Sequence, residues 1–230
     1  LKNRTRENIT NYIKDNVVVS YNIFGVPILF KDKFRTSIDL EEVISEIERV
    51  VPQDYFYGID TILVGDREEF EQRRINAMLQ DGAIYISPEQ DNVDDLVDDI
   101  VHEVAHNVEK VHGQELYGDS NVEVEFLGKR KRLFSLLKSE YGDKIDRWAH
   151  MFLESEYSLE FDEFLYNVIG YPVLTNITMG LFQNPYGVTS LGEYFASGFE
   201  EYFLNDRDYL RKISPALFNK IENLTLDRRK

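Results

Sequence analysis

Apolar residues in the first half of the chain fall into short β-rich blocks and helical stripes; from residue 113 onward only the helical spacing persists. Ile59 to Gly65 (IDTILVG) and Ala83 to Ser87 (AIYIS, closed by Pro88) each predict a strand. Val17 to Phe30 is also β-rich, and its Gly25-Val26-Pro27 interruption predicts a hairpin or bend. Ile38 to Val51 has helical spacing, with Asp39 at the cap position ahead of Glu41 and Glu42. Residues 1–16 read as a polar helix. Val93, Leu96, Val97, Ile100, Val101, Val104, Ala105 and Val108 mark one face of a further helix. Five aspartates between Asp91 and Asp99 suit the positive end of its dipole.

After Gly113 the spacing predicts helices over 121–140, 143–156 and 158–169, a segment led by Pro172, and helices over 190–205 and 214–224. Strands with helices come first and helices alone follow, so the class is α+β. The expected organisation is one domain over 1–230. A small mixed sheet and the 93–108 helix would form an N-terminal lobe to about residue 112, with a mainly helical lobe after it.

Composition narrows the function. A net charge of −16 argues against nucleic acid and anionic membrane surfaces as partners. No apolar run reaches the length of a membrane span. The absence of cysteine removes disulfides, thiolate zinc sites and thiol nucleophiles. Leu1 is not followed by a basic-then-apolar leader, which fits a chain whose signal peptide has been removed or an excised domain.

The chemistry lies on the 93–108 helix. His102-Glu103-Val104-Ala105-His106 reads H-E-x-x-H and uses two of the four histidines in the chain. At about 100° per residue the two histidines lie opposite the centre of the apolar stripe. The helix can bury one side and present two imidazoles from the other. Residues four apart stack on a helix, so both rings can reach one metal ion. Glu103 is offset by one step and suits a general base holding a water.

A metal site of this type needs a third protein ligand. His112 continues the motif at metzincin spacing, but Glu109 stands where those enzymes need a glycine to leave the helix. His150, in DRWAHMFL, fits a half-buried helix residue. Glu123 and Glu125 lie at the short spacing of thermolysin-like enzymes, without the aspartate expected four residues later. Glu193 is preferred: Glu193, Ser197 and Glu200 lie opposite an apolar face made by Leu191, Tyr194, Phe195, Gly198, Phe199, Tyr202 and Phe203. Periodicity alone fits a solvated amphipathic helix equally well.

Tyr186-Gly187, then Glu193-Tyr194-Phe195-Ala196 and Phe199, resemble the end of the catalytic domain of anthrax lethal factor and, more strongly, the clostridial Pro-Pro endopeptidases. The resemblance continues through Tyr202-Phe203-Leu204-Asn205 and the Pro215–Leu224 segment, and IDTILVG and AIYIS match the family's strands in order. It covers about two-thirds of the chain, with strong motifs and weak identity elsewhere. It implies a zincin-like fold of the gluzincin type, with Zn²⁺ held by His102, His106 and Glu193. Tyr186 would contact the reacting carbonyl. It also implies that AIYIS is the sheet edge on which a substrate lies as an added strand, although its residues fit an interior strand as well. Two departures stand out: Ser197 replaces a second glutamate, and the longer stretch from His106 to Tyr186 implies an extra helical insertion that walls the cleft.

The implied function is a zinc-dependent endopeptidase acting on peptide or protein substrates, with Glu103 and Tyr186 as the catalytic residues. It would be secreted or extracellular. The alternatives are zinc hydrolysis of another bond, or an inactive zincin fold kept as a binding or structural module of a toxin or a larger assembly. A looser resemblance to zincin domains of tailed-phage virion proteins belongs with that last alternative. An intact Glu103 argues against it, because a binding module has no use for a general base.

Overall fold

A computed structural model describes residues 21–227; the helix expected over 1–16 and the start of the β-rich stretch at Val17 lie outside them. The fold is mixed α+β with a small mixed sheet. Among the described residues no helix is long and apolar enough to cross a membrane.

Contacts divide the chain into two units, Leu1–Asn107 and Val108–Lys230. The first holds a five-stranded sheet. Its strands are β1 (Tyr21–Ile23), β2 (Val26–Phe30), β3 (Thr61–Val64), β4 (Ala77–Gln80) and β5 (Ala83–Ile86), in the order β1-β2-β3-β5-β4. β2, β3 and β5 run parallel, and β1 and β4 flank them antiparallel. Parallel neighbours need a crossover. Helix α1 (Leu40–Val50) supplies the first, burying Val43 and Ile47, and Asp39 caps it by accepting from the N–H groups of Glu41 and Glu42. A short helix α2 (Glu68–Arg73) lies between β3 and β4.

Both hairpins turn on two residues with positive φ, as tight hairpin turns require. Phe24 (φ 50°) and Gly25 (φ 86°) join β1 to β2; Asp81 (φ 51°) and Gly82 (φ 84°) join β4 to β5. The first turn therefore falls one residue earlier than the Gly25-Val26-Pro27 interruption suggests. Pro27 sits inside β2 without harm because pairing with β3 begins only at Ile28. The second hairpin corrects the edge expected at AIYIS. β5 lies between β3 and β4, and β4 is the edge strand.

Helix α3 (Val93–Tyr117) carries the H-E-x-x-H motif. Asn92 caps it through a bond accepted from the Asp95 N–H at 3.0 Å. Leu96, Val97, Ile100, Val101, Val104, Ala105 and Val108 are all buried, as the stripe predicts. Asn107 is also buried and donates to the carbonyls of Tyr55 and Tyr57 at 3.0 and 2.9 Å, tying the residue beside His106 to that loop. Backbone torsions stay helical up to His112, where φ −112° and ψ 16° break the helix before it resumes to Tyr117.

The second unit is helical: α4 (Asn121–Tyr141), α5 (Leu159–Glu163), α6 (Tyr171–Thr178), α7 (Leu191–Leu204), α8 (Arg207–Ile213) and α9 (Pro215–Asp227). The helix expected over 143–156 is a 3-10 helix over Gly142–Leu153, and that over 158–169 passes from α5 into a π-helical segment, Phe164–Ile169. Aromatic rings fill the core. Phe126, Phe182 and Tyr194 pack together, and Trp148 stacks on Phe164 at 4.3 Å. Two buried cations sit among them. Arg130 donates to the carbonyls of Met151 and Glu154 and lies 4.2 Å from the Phe161 ring centroid. Lys129 Nζ donates to Ser214 Oγ at 2.5 Å and faces the Tyr194 ring at 4.9 Å.

Burial pushes the Lys129 ammonium down to about 8, with the Glu125 charge opposing in part. In the unfolded chain the amine keeps an ordinary value near 10.4. Above pH 8 the folded form gives up its proton first, the unfolded chain binds more protons, and stability rises with pH. Lys129→Met is expected to be more stable than the native protein at neutral pH. That advantage should shrink above pH 8 by up to about 1.4 kcal/mol per pH unit, read from urea unfolding across the range. A pH-independent difference contradicts the assignment.

Candidate metal centre

The two histidines of the motif behave as helix geometry requires. Their Nε2 atoms lie 3.2 Å apart, with ring centroids 4.9 Å apart. Two imidazole nitrogens at about 2.0–2.1 Å from one tetrahedral ion stand about 3.3 Å apart. The pair therefore already has the spacing that a shared ion imposes.

Glu193 completes the set. The ligand atoms of His102, His106 and Glu193 all lie within 4.8 Å of one another, so this group could hold a metal ion. Its composition, two imidazoles and one carboxylate, is that of sites that keep a fourth position open. Glu193 occupies the first turn of α7, where Ser190 is the N-cap and its Oγ accepts the Glu193 N–H at 3.1 Å. Ser190-Leu191-Gly192-Glu193 is thus a capping-box sequence, in which the glutamate ordinarily returns to the cap's own N–H. Here its carboxylate lies with the histidines instead. The Leu191 N–H is satisfied by the Ser155 carbonyl at 2.8 Å.

Glu103 is buried, and its Oε2 accepts the Leu79 N–H of edge strand β4 at 2.6 Å. A long acidic side chain is thereby fixed beside the histidines by a main-chain donor. The Tyr186 hydroxyl lies 3.5 Å from Glu193 Oε1, at the outer limit of a hydrogen bond. Tyr186 opens a 3-10 turn, Tyr186–Val188, that is fastened to α7. Asn184 Oδ1 accepts from the Gly187 N–H at 2.8 Å and from Ser197 Oγ at 3.2 Å. A Cβ at Gly187 would stand 3.2 Å from Ser197 Oγ, so glycine lets the turn lie close to α7.

The other ligand candidates have different occupations. His112 pairs with Glu115 three residues on, at the break in α3. Glu125 accepts the Tyr194 hydroxyl at 2.9 Å and the Ala216 and Leu217 N–H groups at 2.8 and 3.2 Å, capping α9. Glu123 is in the first turn of α4, where a carboxylate complements the helix dipole. His150 is exposed on the 3-10 helix rather than half-buried. None of these four belongs to the metal-ligating group found among the described residues. Asn107 and Asn184 escape a motif search because each acts through main-chain and hydroxyl partners; a buried asparagine next to a motif histidine is the one signal that the first offers.

Comparison with protein-family models, curated proteins and solved structures gave no match.

Metal analysis by mass spectrometry is expected to find about one divalent ion per chain. Glu193→Ala should lose it, whereas His112→Ala and Glu125→Ala should keep it. Loss on His112→Ala with retention on Glu193→Ala would make His112 the third ligand.

Proposed function

We propose that the protein is a zinc-dependent endopeptidase with a zincin-like fold of the gluzincin type. The observation that carries this reading is the grouping of His102, His106 and Glu193 together with Glu103, whose carboxylate is held by an edge-strand N–H. Two imidazoles and a carboxylate are the donor set that zinc takes in hydrolytic sites. The resemblance of Glu193-Tyr194-Phe195-Ala196 and Tyr186 to the lethal factor and Pro-Pro endopeptidase motif points the same way.

Zinc held there supplies Lewis-acid polarisation of a water and of a peptide carbonyl. The chain's own residues do the rest. Glu103 accepts the proton of the attacking water as its oxygen bonds to the carbonyl carbon. It then delivers that proton to the leaving nitrogen as the C–N bond breaks. The Tyr186 hydroxyl donates to the carbonyl oxygen as negative charge develops on it. Edge strand β4 supports the substrate. The Leu79 N–H points away from β5 and towards Glu103, so the free side of β4 leads to the general base. A peptide added to that side as a strand would run past Glu103.

Glu103→Gln preserves size and can still be held by Leu79, but it cannot take a proton at neutral pH. Cleavage of a peptide library is expected to fall at least about a hundredfold, with metal content and melting temperature close to native. Equal activity in both proteins, after exclusion of a contaminating protease, contradicts the mechanism. Zinc bound but no cleavage by either protein would instead favour an inactive zincin fold.

Tyr186→Phe is expected to lower kcat by about tenfold to a thousandfold while changing KM little, because the donor acts on charge that appears only as the bond breaks. An effect confined to KM would place Tyr186 in substrate binding.

A further inference from the structure

The stripe of α3 that carries the ligands does not stop at His106. His102, His106 and Glu109 stand at i, i+4 and i+7 on one face, and the helix is regular across all three. Glu109 has a definite environment. Its Oε1 accepts the Tyr117 hydroxyl at 2.5 Å, across the break at His112. Both of its carboxylate oxygens lie beside Gly192: a Cβ there would stand 3.1 Å from Oε2 and 3.4 Å from Oε1. Gly192 is in the first turn of α7, where a carboxylate meets the positive end of the helix dipole. The next residue is Glu193. The half-buried phenol of Tyr117 lies beside this carboxylate, and both desolvation and the Glu109 charge hold it protonated, so it remains a donor.

We propose that Glu109 is a positioning residue: clamped by Tyr117, its carboxylate seats the first turn of α7 at Gly192 and so sets where Glu193 presents its own carboxylate. This rests on the metal-centre reading. It gives the residue that occupies the metzincin glycine position a role of its own. Glycine at 192 leaves the carboxylate this place, and a Cβ there would have to shift it by a few tenths of an ångström.

The test is zinc affinity by competition with a chromophoric chelator, alongside melting of the metal-free protein. The proteins compared are native, Gly192→Ala, Glu109→Gln, Glu109→Ala and the double variant Gly192→Ala/Glu109→Ala. Removing an outer partner of a metal ligand typically costs 10–100-fold in affinity. Gly192→Ala and Glu109→Ala are each expected to weaken zinc binding about tenfold or more, and Glu109→Gln, which still accepts from Tyr117, by less. The double variant should bind no more weakly than Glu109→Ala alone, because alanine at 192 then meets no carboxylate. Alanine favours a helix over glycine, so a loss of affinity in Gly192→Ala cannot be charged to helix propensity. Native affinity in both single variants overturns the proposal while leaving the metal centre intact. So does a fall in melting temperature with affinity unchanged, which would make Glu109 a helix brace only. Failure of the native protein to bind zinc overturns both readings.

Discussion

Helix α3 must bury one side completely and hold two imidazoles on the other, and the rest of the site depends on its meeting both demands. Ile100, Val101, Val104 and Ala105 are at most 2 % exposed, which fixes the helix in rotation. Burying Ile100, Val101 and Val104 contributes on the order of 1.5–3 kcal/mol each. The rotation set by this burial leaves His102 and His106 no choice of face. Their Nε2 atoms come to 3.2 Å, within hydrogen-bonding distance of each other. Asn107 fixes the same helix by two main-chain carbonyls and guards against rotation from the polar side.

The proposed third ligand follows a different logic. Glu193 sits in a helix turn whose N–H groups have named partners: Ser190 for its own and the Ser155 carbonyl for that of Leu191. Glycine beside it allows the carboxylate of Glu109 to approach. A ligand on a capped, well-held turn is more exactly placed than one on a loop. The same economy appears at Tyr186, whose turn is tied to α7 through Asn184 and Ser197.

Much of this was legible before any coordinates, and the reasons for the failures are physical. The α1 cap at Asp39, the α3 stripe and strands β3 and β5 follow from local pattern and stand where that pattern puts them. Strand β4 escaped because Ala77-Met78-Leu79-Gln80 are helix formers, and only pairing with β5 makes them a strand. The Asp81-Gly82 turn was nevertheless a readable hairpin signal. The edge at AIYIS is an implication of the resemblance alone; the interior position, which its residues fit as well, is the one β5 occupies. Helix α8 also went unread, although Asp206 caps it by accepting from Asp208 and Tyr209. At the site, the spacing of His102, Glu103 and His106 is local and therefore visible. Periodicity around Glu193 fits a solvated amphipathic helix equally well, and only the resemblance of Glu193-Tyr194-Phe195-Ala196 singles it out. The role of Glu125 was out of reach, because its partners Tyr194 and Leu217 lie 69 and 92 residues away.

The central claim is that one ion is shared by two imidazoles of α3 and a carboxylate of α7. X-ray absorption at the zinc edge of the zinc-loaded protein reads this directly, because imidazole rings add a distinctive outer-shell pattern that carboxylates and water do not. The account predicts a four-coordinate nitrogen and oxygen shell at about 2.0–2.1 Å with outer-shell scattering from two imidazoles. Scattering from three imidazoles, or from none, would contradict it.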